Sequence, residues 1–342
     1  MALSYAHKHL IVRHTGNEGI TLLNDVSNTK ITGCGIYDTG ASAIVVGHPQ
    51  HMFIGDKGSD IGYFSEKEKY SQDEEALCKN IVIEKSKVTD LCKLFPGCPG
   101  ITIYAADTFD IVDNFMKNVP YCGISVGWGW WNMNGDSDSV APGIPTESIN
   151  AANVSRNRIE DALQILSDGG AIYTLGEMRG SRVDENYIKG IGSEINAEEK
   201  IRGIHMDEGT RHLLGDKNVI EVAPKYACID CGNWGRKGYN TWTNTYSTSK
   251  KNSTEPNMEE GTTCPVTYVA DANWPQEAMT VVNNAGMYDT LIDNMINFET
   301  YYNSNINVAL IVGLSIGCVV VLVGIGFCIY WFLRKKKKTN SI

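Results

Sequence analysis

The chain predicts an all-β fold: a right-handed, single-stranded parallel β-helix, followed by one transmembrane α-helix. Three observations carry that prediction. Short apolar runs recur with a period of about 23 residues. No long heptad pattern precedes residue 307. The stretch from Val308 to Leu333, near the C-terminus, holds no charge.

Two units alternate in the repeat. The first is Gly/Ala-Ile-x-apolar, at Gly19–Leu22, Ala43–Val46, Gly100–Ile103, Gly123–Val126 and Gly203–Met206. The step from Gly19 to Ala43 and the step from Gly100 to Gly123 differ by a single position. The second unit sets two apolar residues around a small or polar centre: Ile31/Ile36, Ile83/Val88, Ile111/Met116, Val154/Ile159 and Val183/Ile188. Asn114, Asn157 and Asn186 stand in the middle of three of these. A strand this short cannot bury a face alone, but stacked coils bury their inward Ile and Val against one another. Asn and Gly at the corners supply left-handed or turn backbone, and Asn amides can stack along the axis. A β-sandwich is the alternative, and the near-constant recurrence favours the β-helix.

The repeats are read over residues 1–231, with longer loops at 53–79, 132–150 and 189–202. Residues 232–300 read as an irregular extension rich in Asn, Thr, Ser and Lys. Within it a short capping helix is expected over 274–285. Pro275 sits in its first turn, Glu277 favours its N-terminal end and Gly286 ends it. The first coil begins almost at Met1 with no cap, and the opening MALSYAHKHLIVRHTG has no apolar core of a signal peptide. Missing N-terminal sequence is therefore expected.

The transmembrane helix is placed at 307–333, on the uncharged run Val308 to Leu333. Tyr301, Tyr302, Tyr330 and Trp331 flank it as interfacial anchors, and Gly313 with Gly317 form a GxxxG. Arg334 and Lys335 to Lys338 follow at once, so residues 334–342 are read as a basic cytoplasmic tail. Membrane lipid, engaged through 307–338, is an expected partner. The β-helix then lies on the extracellular or lumenal side of a single-pass protein, as expected at a cell surface. Without those five cations the chain carries 25 basic against 40 acidic residues, a net of −15. Nucleic acid is excluded as a partner by that balance.

Eight of the ten cysteines lie outside the span, an even count that permits disulfides, with Cys92 and Cys98 the expected local pair. Cys228-Ile-Asp-Cys231 is a lone CxxC without the second pair a zinc site needs. Asn153-Val-Ser155 and Asn252-Ser-Thr254 are glycosylation sequons. Asn134-Gly-Asp136-Ser-Asp138 alternates oxygen ligands but lacks a complete calcium loop. No metal or cofactor is expected.

Three stretches concentrate chemistry. In Tyr121–Trp131, Trp128, Trp130 and Trp131 beside glycines suit stacking on sugar rings, or core packing. In Leu166–Gly176, Asp168 precedes Gly169 and Gly170, which would let a ligand approach the backbone, although Asp-Gly is also an ordinary turn. In Gly203–Arg211, Asp207 and Glu208 are adjacent, so on a strand only one need enter a site. Carboxylates from neighbouring coils are what glycosidic cleavage requires: one protonates the leaving oxygen, the other acts as base or nucleophile.

The strings PYCGISVGWGWW, LSDGGAIYTLG, RGIHMDEGT and NWPQEAMTVVNNAG, with ITGCGIYDTGASAIVVG upstream, resemble the pectin-lyase-like β-helix glycoside hydrolases, closest to family 141. The resemblance covers roughly residues 20–290. It implies hydrolysis of a glycan, with fucosidase and xylanase among the family's activities. It implies Asp168 and Asp207 as catalytic carboxylates, with Glu208 beside them. Trp128, Trp130, Trp131, Tyr173, His205 and Arg211 are implied to line the sugar. Two registers stay open on the sequence. Aligning Ile172 with Ile204 puts Asp168 and Asp207 seven positions apart, about 23 Å at strand rise. Aligning Leu163 and Ile165 with Ile204 and Met206 brings them within two positions. A non-catalytic glycan-binding or adhesive β-helix is the alternative reading, and a pectate-lyase-like eliminase the third.

Overall fold

Inward Ile and Val columns and corner asparagines organise the chain into three parallel sheets. The computed structural model describes residues 5–23, 25–47, 78–104, 106–127, 149–196, 200–231, 237–251 and 261–297. The stretches expected to form a transmembrane helix and its tail, and the calcium-like stretch, lie outside those residues. Among the described residues no helix is long and apolar enough to cross a membrane. Met1–Ile292 form one compact unit and Asp293–Ile342 a second.

The first sheet stacks β1 (Tyr5–Lys8), β4 (Ser27–Thr32), β7 (Cys78–Glu84), β10 (Ala106–Val112), β13 (Ile149–Ser155), β16 (Arg182–Asp184), β19 (Leu214–Asp216) and β22 (Thr241–Thr243). The second stacks β2 (Ile11–Thr15), β5 (Gly35–Thr39), β8 (Lys87–Thr89), β11 (Phe115–Lys117), β14 (Arg158–Ala162), β17 (Tyr187–Ile191), β20 (Val219–Glu221), β23 (Thr245–Ser247) and β24 (Val266–Tyr268). The third stacks β3 (Ile20–Leu22), β6 (Ile44–Val46), β9 (Ile101–Ile103), β12 (Ile124–Val126), β15 (Gly169–Thr174), β18 (Ile201–Met206) and β21 (Ala227–Asp230). From β1 to β20, each strand pairs in parallel with the strand three places on, the connectivity of a parallel β-helix.

The register explains the sequence repeat. In the third sheet Ile44, Ile101, Ile124, Ile172, Ile204 and Ile229 stand in one column, all buried. In the second sheet Ile36, Val88, Met116, Ile159, Ile188 and Ile220 form another. The two units found in the sequence are thus the third-sheet strand and the corner joining the first two sheets.

That corner carries a ladder of amides. Asn114 Nδ2 donates to Asn157 Oδ1 (3.0 Å), Asn157 to Asn186 (3.1 Å) and Asn186 to Asn218 (3.1 Å). Each also donates to a backbone carbonyl of the preceding coil, Ile83, Ile111 or Val154, at 2.8–3.0 Å. The oxygens of Asn157, Asn186 and Asn218 accept a backbone N–H as well, so one residue type satisfies a buried corner in both directions.

Several expectations need correction. The sheets run past residue 231, where irregular structure was expected. β22, β23 and β24 are short and built mostly from Thr, Tyr, Ser and Trp, so they lack the Ile-x-apolar signature while still fitting a pleated surface. Trp242 is fully buried where earlier coils hold smaller residues. A helix, α1 (Gln276–Asn284), covers part of the second sheet: its Ala278 and Val281 cluster with Tyr187 and Val219.

Cys92 and Cys98 are not bonded to each other. Cys92 turns into the core and its thiol points at the carbonyls of Cys98 (3.1 Å) and Ala41 (3.3 Å), while burial pushes its pKa up to about 12. The disulfide is Cys231–Cys264. Cys228 and Cys231 flank the end of an extended strand, where residues three apart are about 10 Å from one another and cannot pair. The Cys231–Cys264 bond closes a loop with a sequence separation of 33. Its loss through Cys264→Ser should cost about 3–4 kcal/mol by loop-closure entropy. Denaturant titration checks this; an unshifted midpoint would mean the pairing of β23 with β24 already restrains the loop. The Asn153 sequon sits in β13 with its amide donating to Asp110 (2.8 Å).

Candidate active site

The outward residue after each inward isoleucine of the third sheet forms its own row: Ser125, Tyr173, His205 and Asp230. The strand register selects the first alignment: Ile172 pairs with Ile204, Tyr173 with His205 and Thr174 with Met206. Asp168 therefore enters β15 at one end of the sheet, and Asp207 leaves β18 at the other. Seven register positions separate their backbones, and the side chains still approach closely enough for the Asp168 charge to raise Asp207.

A chain of side chains links the two ends. Asp168 has a left-handed backbone (φ 58°), is 59% exposed and reaches Arg202 Nη1 at 3.5 Å and Lys200 Nζ at 4.0 Å. The Tyr121 hydroxyl donates to its carbonyl at 3.0 Å. Arg202 runs along the sheet and places Nε 2.8 Å from Asp230 Oδ2. Asp230 Oδ2 lies 3.3 Å from His205 Nε2, and the same nitrogen lies 3.8 Å from Asp207 Oδ1. One imidazole nitrogen thus stands between the Asp230 and Asp207 carboxylates. The Lys237 ammonium approaches the other Asp230 oxygen at 3.5 Å.

Burial sets the protonation states. Asp207 is pushed up from the usual carboxylate range, chiefly by desolvation; the Tyr173 hydroxyl donates to its Oδ2 and Lys237 pulls it down, while the Asp168 charge raises it further. His205 is held well below its ordinary value, first by burial, then by the Arg202 charge. It is a neutral imidazole at pH 7, so its contacts with Asp207 and Asp230 are not ion pairs. Burial lowers Lys237, opposed by Asp230 and Asp207. Desolvation raises the hydroxyls of Tyr173 and Tyr121 above their ordinary range, and pushes the Cys122 thiol up to about 12. Asp207 is the proton carrier of the group, and Tyr173 its orienting donor.

Glu208 is raised by burial and by Asp207. Because β18 ends at Met206, the Asp207–Glu208 pair lies on a turn, and the opposite facing expected of a strand does not apply; both carboxyls sense Lys237. Arg211 lies one turn further on, with its guanidinium 5.1 Å from the Tyr239 ring centre. Gly169 and Gly170 serve packing. A Cβ on Gly170 would meet the His205 nitrogen at 2.7 Å, and one on Gly169 would meet Cys122 Sγ at 2.7 Å. Beneath the site Trp242 Nε1 points at Met206 Sδ (3.2 Å), so the coil that carries β22 supports the strand that carries His205. Trp128, Trp130 and Trp131 lie outside the described residues.

Arg202, Asp230 and Lys237 escaped the sequence reading. Asp230 alone left a signal: it follows Ile229 as Tyr173 follows Ile172, but it was absorbed into the CxxC.

No family model matches this chain, and no curated protein matches it. A solved structure titled "Glycoside hydrolase" superposes with a TM-score of 0.56 at 20% sequence identity, over 82% of this chain and 38% of that one. The likeness is one of fold. The chain spans less than two fifths of that protein's length.

Proposed function

We propose that this chain is a membrane-anchored, external glycoside hydrolase of the right-handed pectin-lyase-like type, akin to family 141, that cleaves a glycan across the outer face of the third sheet. Asp207 is the general acid that protonates the leaving glycosidic oxygen. Asp168, exposed and flanked by Arg202 and Lys200, is the second carboxylate, acting on the sugar as base or nucleophile. Tyr173 holds the Asp207 carboxyl in place. His205, neutral, stands behind Asp207, between it and Asp230.

The observation that carries this reading is the contrast between the two carboxylates. One is buried and has its proton affinity raised by desolvation; the other is exposed beside cations. Such a split of environments assigns acid and base roles. The Cys231–Cys264 disulfide supports an oxidising, external location. The uncharged run before Arg334–Lys338 supports the anchor. The fold of the solved glycoside hydrolase supports a carbohydrate ligand.

A panel of aryl glycosides, including fucosides and xylosides, offered to the full chain in detergent tests the reading. Turnover should be found on at least one sugar. Asp168→Asn should lower kcat by about 10²–10⁴-fold with little change in KM. Undiminished turnover by Asp168→Asn would remove it from the pair. No turnover on any glycan by the folded chain would leave a binding surface in place of an enzyme.

A further inference from the structure

Behind the two carboxylates lies a second charged group that the hydrolytic reading does not use. Asp230, Lys237 and His205 are each about 1% exposed. Asp230 and Lys237 are seven residues apart, and His205 is set beside Asp230 by the pairing of β18 with β21. We propose that Asp230 and Lys237 are a buried positioning pair that, through Arg202 and His205, fixes where the proton sits at Asp207. The inference rests on the proposed function only for what that proton does in turnover; the arrangement itself stands without it.

Contacts and charge balance carry the inference. One Asp230 oxygen is shared by Arg202 Nε (2.8 Å) and His205 Nε2 (3.3 Å), and the other faces Lys237 Nζ (3.5 Å). Arg202 is itself shared with Asp168 (3.5 Å). With His205 neutral, Arg202 and Lys237 both face Asp230, while the exposed Asp168 is shared between Arg202 and Lys200. Lys237 lowers the proton affinity of Asp207 and Asp168 raises it, beside the larger effect of burial. A charge in a dry site is costly, so removing either member of the buried pair shifts the proton equilibrium of Asp207. The groups facing Asp207 are Asp168 and Tyr173 at β15, Tyr121 and Cys122 before β12, His205 on β18, Glu208 beside it, and Lys237; Arg202 and Asp230 reach it through His205. Among them Asp230 and Lys237 are the fully buried pair of opposite sign. They act in opposite directions. Without the Asp230 charge, Lys237 and Arg202 favour the Asp207 anion. Without the Lys237 charge, Asp230 disfavours it.

The test uses the full chain in detergent micelles. The protonated-carboxyl infrared band that disappears with Asp207→Asn is followed against pH in each background. The midpoint should fall by about one pH unit in Asp230→Asn, rise by about one in Lys237→Met, and stay in place in Lys237→Arg. The alkaline limb of kcat/KM should move with it. Shifts of the same sign in both variants, or none, with circular dichroism unchanged, would overturn the proposal. If Lys237→Met does not fold, the sign of the Asp230→Asn shift decides. Opposite infrared shifts in a protein that turns over no glycoside would keep the positioning pair and discard the hydrolase. Turnover that needs Asp207 without the shifts would do the reverse.

Discussion

Asp207→Asn should abolish turnover and at the same time make the protein more stable at neutral pH. The loss should be about 10³-fold or more in kcat, because the amide cannot give a proton to the leaving oxygen. The gain follows from linkage. The folded-state pKa of Asp207 is raised, first by burial, so the protonated form is the one the fold favours. The stability tied to that proton is complete below the unfolded value, about 3.9, and is lost as pH rises through the raised folded value. Asparagine is neutral throughout and can still accept the Tyr173 hydroxyl. The difference in Tm between variant and wild type should therefore be near zero at acid pH and grow in favour of the variant across that window. Thermal melts at a series of pH values measure it. A variant that is less stable at neutral pH would mean that Lys237 compensates the ionised carboxylate fully.

Asn157→Ala should be among the most damaging single substitutions in the solenoid. The amide donates to Ile111 O (2.8 Å) and Asn186 Oδ1 (3.1 Å), and accepts from Asn114 N (3.1 Å) and Asn114 Nδ2 (3.0 Å). Asn157 is fully buried, so alanine removes these partners where water is excluded. Each unsatisfied buried group costs about 1–3 kcal/mol, and a loss of at least about 3 kcal/mol is expected. Denaturant unfolding of the two forms reads it. A loss under about 1 kcal/mol would mean that water enters the corner and replaces the amide. In a stack whose coils contact only neighbours, the same change in an end coil should cost less.

Part of the architecture was legible because it is local in origin. The inward isoleucines at Ile101, Ile124 and Ile204 and the corner residues Asn114, Asn157 and Asn186 each mark a position within one coil, and the coil length shows as their spacing. Asp207 was legible from its polar stretch and the family resemblance, and Tyr173 and His205 from the resemblance alone; that they share a fixed offset from the inward isoleucines emerges only with the register. The strands over 241–268 were not, since Thr and Tyr pack on a pleated surface without leaving an apolar repeat.

Local sequence therefore specifies the coil: a short strand, a polar corner and the identity of the side chains facing outward. Which coil rests on which is settled only when they stack. Stacking chose the register that sets Ile172 on Ile204, because one-position slips would turn buried isoleucines toward solvent. It brought Arg202, Asp230 and Lys237 onto one face, and paired Cys231 with Cys264 in place of Cys92 with Cys98. Those partners come from different coils, and only the burial of the shared core fixes their distances. Desolvation, which sets the proton on Asp207, likewise comes into being when the coils stack.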